Sequence, residues 1–125
     1  MTIARAHRPA ILIVEDDPII RWSGAETLMD ARFEVLEAGN AAEALTLLEN
    51  HGGVSVLFTD IDMPGKMDGL DLARIAAHRW PWIHIIVASG RREAQARHMP
   101  DNGRFIPKPY MPEQIIRDID ALLAA

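Results

Sequence analysis

Five short runs read as β-strands: AILIV (Ala10 to Val14), FEVLE (Phe33 to Glu37), VSVLF (Val54 to Phe58), IHIIV (Ile83 to Val87) and the weaker RFIP (Arg104 to Pro107). Segments of helical period separate them. Strands alternating with helices leave few solutions, and the simplest is a parallel sheet with right-handed crossovers. AILIV is apolar throughout and rich in β-branched residues, as a strand covered on both faces requires. FEVLE is more polar and suits a sheet edge.

The connecting segments carry their own start and stop signals. Asp17 before Pro18 reads as a helix cap with proline at the first helical position. Trp22, Ala25, Leu28 and Met29 then share one stripe. Asn40 and Glu43 have the spacing of a capping box, and Gly52-Gly53 ends that helix. A third helix spans Leu70 to Arg79, with Ala73, Ala76, Ala77 and Trp80 on one face and Pro81 as its stop. Asp68 before Gly69 is a turn or cap residue. The stretch GRREAQARHMPDNG is polar and ends in turn residues, so the helix between strands four and five is short or irregular. The final helix starts at Pro112 and presents Ile115, Ile116, Ile119, Leu122 and Leu123. Trp22, Trp80 and Trp82 are read as packing residues, and Tyr110 as core or docking surface.

Composition narrows the function. The chain has 125 residues, 49% of them hydrophobic, and suits one domain over 1–125 with a flexible segment at 1–8. A net charge of −5 disfavours a nucleic-acid reader. Absent cysteine excludes disulfides, thiolate metal sites and a cysteine nucleophile. Neither a signal peptide nor a bilayer-length apolar run is present, so a cytoplasmic protein is expected. The five histidines are scattered without metal-ligand spacing.

Parallel sheets of this kind gather functional groups in loops beyond the carboxyl ends of their strands. Glu15 and Asp16 end strand one, Asp60 ends strand three, Ser89 ends strand four and Lys108 ends strand five. Three carboxylates brought that close repel one another unless one is protonated or a cation is present. Mg2+ is the natural cation, being hard and oxygen-seeking, and it keeps open positions when few carboxylates bind it (Mn2+ is also possible). Lys108 adds a point charge suited to carboxylate or phosphate. Ser89 supplies one hydroxyl donor. A carboxylate nucleophile, a divalent cation, a lysine and a hydroxyl make a phosphoryl-transfer site.

The fragments ILIVEDDP, LFTDIDMPG followed by MDGL, and PKPY, in this order over nearly the whole chain, resemble the receiver domain of bacterial two-component response regulators. The resemblance implies a flavodoxin-like, doubly wound α/β fold, a five-stranded parallel sheet of order 2-1-3-4-5 with helices on both faces. That order is one the general rules for doubly wound folds already name for this family. It also implies roles. Asp60 is the phosphoacceptor, and Glu15 and Asp16 are the acidic pair, with Asp16 the direct metal ligand. Asp62 offers its main-chain carbonyl to the metal, while its side chain faces the site entrance and tunes dephosphorylation. Lys108 pairs with the phosphoryl group and Ser89 turns towards it. Phe105 is the aromatic switch, a role compatible with core packing. An alternative register puts Ala88 at the hydroxyl position. The loop MPGKMDGL is one residue longer than the family pattern, and the stretch from Ser89 to Phe105 is shorter.

The implied protein is a stand-alone phosphoacceptor for a histidine kinase or phosphotransfer protein docking near helix one. It is not a turnover enzyme, and it acts through an unknown downstream protein or as a relay or phosphate sink. No nucleic-acid partner or membrane insertion is expected. Two rivals stand beside it. One is a receiver that binds partners without phosphorylation. The other is a small Mg-dependent phosphatase using Asp60 with Asp62 as acid/base. A flavin or nucleotide module is disfavoured because no Gly-rich loop follows strand one.

Overall fold

The computed structural model describes residues 9–90, 99–100 and 103–124. Along the chain these form β1 (Ala10–Val14), α1 (Pro18–Asp30), β2 (Glu34–Ala38), α2 (Ala41–Asn50), β3 (Val54–Asp60), α3 (Gly69–Arg79), β4 (His84–Ser89), β5 (Gly103–Pro107) and α4 (Pro112–Ala124). The five strands make one parallel sheet of order β2-β1-β3-β4-β5. The segment 1–8 lies outside the described residues, as do 91–98 and 101–102 of the stretch expected to hold a short or irregular helix between β4 and β5.

Period-2 alternation divides the core in two. Leu12, Val14, Leu57, Ile85 and Val87 face α2 and α3, where Ala41, Ala44, Leu48, Leu70, Ala73 and Ala76 cover them. Ile11, Ile13, Val56, Phe58, Ile86, Ala88 and Ile106 face Ala25 and Leu28 of α1 and Ile115 and Ile119 of α4. A sheet covered on both sides explains why β1, β3 and β4 are apolar almost throughout, whereas the edge strand β2 exposes Glu34 and Glu37.

The caps fall where the chain chemistry places them. Asp17 accepts from the backbone N–H groups of Ile19 and Ile20. Asp68 accepts from Leu70 and Asp71, and Asp71 accepts in return from the Asp68 N–H, closing a capping box on α3. At α2 the box is shifted by one residue: Asn40 accepts from the Glu43 N–H, but Glu43 reaches the N–H of Gly39. Two tryptophans depart from expectation. Trp22 and Trp82 are exposed, at 61% and 64%, because α1 turns only Ala25 and Leu28 fully inward and Trp82 sits in the turn before β4. Met29, placed in the same stripe as Ala25 and Leu28, is 45% exposed. Trp80 packs on the core edge, with the Arg79 guanidinium 4.4 Å from its ring centroid.

Candidate functional site

Strand parity also decides what meets at the carboxyl rim. Val56, Phe58 and Asp60 alternate onto the α1/α4 side of β3, as do Ile86 and Ala88 on β4 and Ile106 on β5, with Lys108 next in phase. The sheet therefore puts the Asp60 and Lys108 side chains on one face with Ala88 between their strands. Lys108 Nζ lies 3.0 Å from Asp60 Oδ1 and 3.9 Å from Glu15 Oε1. Glu15, Asp16 and Asp60 each offer a carboxylate oxygen within 4.8 Å of the others. Glu15 and Asp60 are buried, and Asp16 is exposed at the mouth. A cavity of about 10 Å³ is lined by Glu15, Asp60, Lys108, Ala88, Phe58 and Tyr110, among others. That is about the room one water-sized occupant needs.

Local structure fixes these groups. Arg21 donates to the Glu15 carbonyl at 2.8 Å and pairs with Glu37 at 3.3 Å, tying the end of β1 to α1 and the edge strand. The Asp17 N–H donates to Glu15 Oε2. Behind Asp60, α3 starts in direct contact with the β3 backbone: a Cβ on Gly69 would lie 1.8 Å from the Asp60 carbonyl oxygen, and the Gly69 N–H donates to the Ile61 carbonyl. Only glycine permits that approach. Tyr110 packs edge-on against Phe58 at 5.7 Å and closes one wall.

Three carboxylates against one ammonium leave an excess of negative charge. Burial pushes the Asp60 carboxyl above its ordinary range, even though Lys108 pulls the other way and Asp62 adds further repulsion. Burial likewise raises Glu15, helped by the charge of Asp60. For Lys108 burial acts downwards, but the hydrogen bond and charge of Asp60, with Glu15, outweigh it and hold the ammonium more firmly protonated. Asp60 Oδ1 is buried with the Lys108 ammonium 3.0 Å away and, among the described residues, no other partner. Such a donor set, all oxygen and one cation short, fits a divalent ion of the Mg2+ type.

The other expected residues sit close by. Ser89 ends β4, buried on the opposite face from Ala88, and its hydroxyl donates to Asp62 Oδ2 at 3.3 Å. Asp62 is exposed just beyond β3. The alternation thus separates the two residues that competed for the hydroxyl position: Ala88 lines the Asp60 cavity and Ser89 faces the loop after β3. Phe105 packs, partly buried, against the α2/α3 core. Asp17 and Asp68 serve as caps. The anchoring by Arg21 and the Asp62–Ser89 contact were not legible in the sequence, because neither arises from a local spacing.

The family model described as "Response regulator receiver domain" matches residues 11–120. The chain belongs to the response regulator receiver family. The receiver is 35% identical over 117 residues to "Sensor kinase CckA" of Brucella abortus, covering 90% of this chain but 12% of that protein. It is 33% identical over 113 residues to "Transcriptional regulatory protein PdtaR" of Mycobacterium tuberculosis, covering 88% of this chain and 54% of that one. The chain therefore spans only part of these curated relatives. Among solved structures it resembles a response regulator receiver protein from Sinorhizobium medicae WSM419. That likeness has 29% identity and a TM-score of 0.86, and covers 96% and 98% of the two chains. The receiver of the hybrid histidine kinase CckA gives 30% identity and a TM-score of 0.78, covering 91% and 98%. Among the described residues, no helix is long and apolar enough to cross a membrane.

Proposed function

We propose that this receiver accepts a phosphoryl group on Asp60 from a phosphohistidine of a histidine kinase or phosphotransfer protein. A carboxylate oxygen of Asp60 forms the new P–O bond while the P–N bond of the donor breaks. The bonding pair returns to the imidazole nitrogen, which takes up a proton. The observation that carries this reading is the buried Asp60 carboxylate, held 3.0 Å from the Lys108 ammonium and within reach of two further carboxylates.

Asp60, Asp16 and Glu15 would hold Mg2+, joined by the main-chain carbonyl of Asp62. When bound, the ion neutralises charge on the transferring phosphoryl oxygens. Lys108 has a partner in Asp60 before transfer and a phosphoryl oxygen after it. Its long stem, only 31% exposed, delivers the ammonium to either. Burial of Asp60 keeps bulk water from the nucleophile and strengthens these charge interactions. Ala88 pairs with Asp60 and lines its cavity, which supports the alternative register in which the hydroxyl contact expected of Ser89 is not made. Phe105 serves as the aromatic switch.

The route for a donor is supported by the surface. An apolar groove of about 750 Å³ runs between α1 and the start of α4, past Ile19, Ile20, Pro109, Tyr110 and Pro112, and reaches Lys108. Ile19 is 76% and Ile20 48% exposed. Exposed apolar area of this kind marks a docking face, and it opens beside the phosphoacceptor. Output follows from the added charge, roughly two units with three strong acceptor oxygens, which re-pairs side chains at the rim. The receiver then switches contacts with a downstream protein, relays the group or drains it from a kinase.

The test is intact-mass measurement after incubation with acetyl phosphate. With Mg2+ the protein should gain one phosphoryl mass. Without Mg2+, or in Asp60→Ala, the gain should vanish. Turnover of phosphate monoesters in solution would instead favour the phosphatase alternative, and a protein that never gains mass would favour the phosphorylation-independent one.

A further inference from the structure

Arg21 is a cation placed directly behind the acidic pair, where charge alone would make it a poor neighbour for a second cation. Its Nη1–H nevertheless donates to the Glu15 carbonyl oxygen at 2.8 Å, and its Nε–H donates to Glu37 Oε1 at 3.3 Å on the edge strand β2. The surroundings leave it a seat. Gly39 follows β2, and a Cβ there would lie 3.2 Å from Arg21 Nη1. The Gly39 N–H donates to Glu43 Oε1 at 2.7 Å, which keeps the turn into α2 beside the guanidinium. Glu15 is tied at two more points: its N–H donates to the Ala38 carbonyl, and its Oε2 accepts from the Asp17 N–H, both at 3.1 Å. The peptide plane that carries the Glu15 carbonyl also carries the Asp16 nitrogen. The bond from Arg21 therefore fixes the direction in which Asp16 leaves the strand.

We propose that Arg21 is a positioning residue for the metal ligands: held by Glu37 and seated at Gly39, it locks the Glu15–Asp16 peptide with both carboxylates towards Asp60 and so sets the affinity of the site for Mg2+. This rests on the metal-dependent phosphoacceptor reading above, and adds to it a residue that touches neither the ion nor the phosphoryl group. The sign of its effect distinguishes the clamp from a bystander charge. As a charge, Arg21 repels a divalent cation, and removing it would tighten binding. As a clamp, it spares the ion the cost of ordering two ligands, and removing it loosens binding. The Arg21 side chain is 24% exposed, so solvent screens its charge, while its hydrogen bond to the ligand backbone persists. The clamp is the larger effect.

The test uses the full chain as wild type, Arg21→Ala, Glu37→Ala and the double variant, titrated with MgCl2 and followed by NMR. Before metal is added, the Glu15 carbonyl 13C resonance should move upfield in Arg21→Ala as its hydrogen bond is lost, and by less in Glu37→Ala. The Kd for Mg2+ should rise about 10-fold in Arg21→Ala, as loss of an outer contact to a metal ligand can produce, and by a smaller factor in Glu37→Ala. In the Arg21→Ala background, Glu37→Ala should add nothing. An unchanged or lower Kd in Arg21→Ala would overturn the clamp and leave Arg21 a repelling charge. Equal losses on Glu37→Ala in both backgrounds would overturn it too, since Glu37 would then act by its own charge. Glu37 is 41% exposed on the edge strand and can be removed without opening the core. Should Arg21→Ala fail to fold, an unmoved Glu15 resonance in Glu37→Ala decides against the proposal and a moved one for it. Absence of Mg2+ binding by wild type would sink the metal-dependent reading of Asp60, and the clamp with it.

Discussion

Asp60 stands where burial and charge oppose each other, and pH should expose the conflict. Burial raises its pKa above the ordinary 3.8, so between that value and the raised one the native state holds more protons than the unfolded chain. Stability then falls as pH rises through this window. Asp60→Ala removes that loss. In the absence of divalent ions at pH 7, the variant is expected to be more stable than wild type by about 1 kcal/mol, a low figure because the rim is open to solvent. The gain should vanish below the unfolded carboxyl pKa, and saturating Mg2+ should narrow it from the other side by stabilising wild type. Urea denaturation at pH 7 and at acid pH, with and without Mg2+, reads all three. A variant less stable than wild type at pH 7 without metal would show that the Lys108 pair outweighs burial.

At the scale of elements, the site depends on how closely α3 approaches the end of β3. Gly69 is the first residue of α3, and its α-carbon faces the Asp60 carbonyl with no space for a methyl group. Gly69→Ala is expected to push α3 off the strand and destabilise the protein by about 3 kcal/mol, the upper end for over-filled packing. It should also slow phosphoryl uptake, since the displaced backbone is that of Asp60. Chemical denaturation and the acetyl phosphate assay check the two halves. Undiminished stability would mean that the loop Asp62–Asp68 absorbs the shift, helped by Gly65 at φ 108°.

For the whole molecule, the proposed function sets the chemistry on one face and donor docking on an adjoining one. The exposed α1 residues lie along the groove leading to Lys108, away from the α2/α3 side of the sheet. Ile19→Glu puts a charge in that groove near its most exposed point. Transfer from a phosphohistidine donor should fall by about 10-fold or more, as one central interface contact can. Uptake from acetyl phosphate, which needs no docking surface, should fall far less. Equal loss with both donors would place the effect in the chemistry and remove the docking role of α1.

The local rules of the chain were enough for the elements. Apolar runs bounded by turn residues mark all five strands, and Asp17, Asn40 and Asp68 mark three helix starts, since strands and caps are written in neighbouring residues. The alternation of strand and helix also implied that Glu15, Asp16, Asp60, Ser89 and Lys108 share one rim. What local pattern cannot carry is which face a residue takes in the assembled sheet and what comes to meet it there. Trp22 and Trp82 looked like core and lie exposed, because α1 buries fully only Ala25 and Leu28 and the turn before β4 buries Ile83 while Trp82 points outward. Ala88 and Ser89 are neighbours in the chain, yet strand pairing sends one to the Asp60 cavity and the other to Asp62. Arg21 reaches the Glu15 carbonyl only once α1 has packed on β1. Residue type and spacing act over a few positions, whereas these contacts join groups up to 27 residues apart and exist only when the sheet is closed.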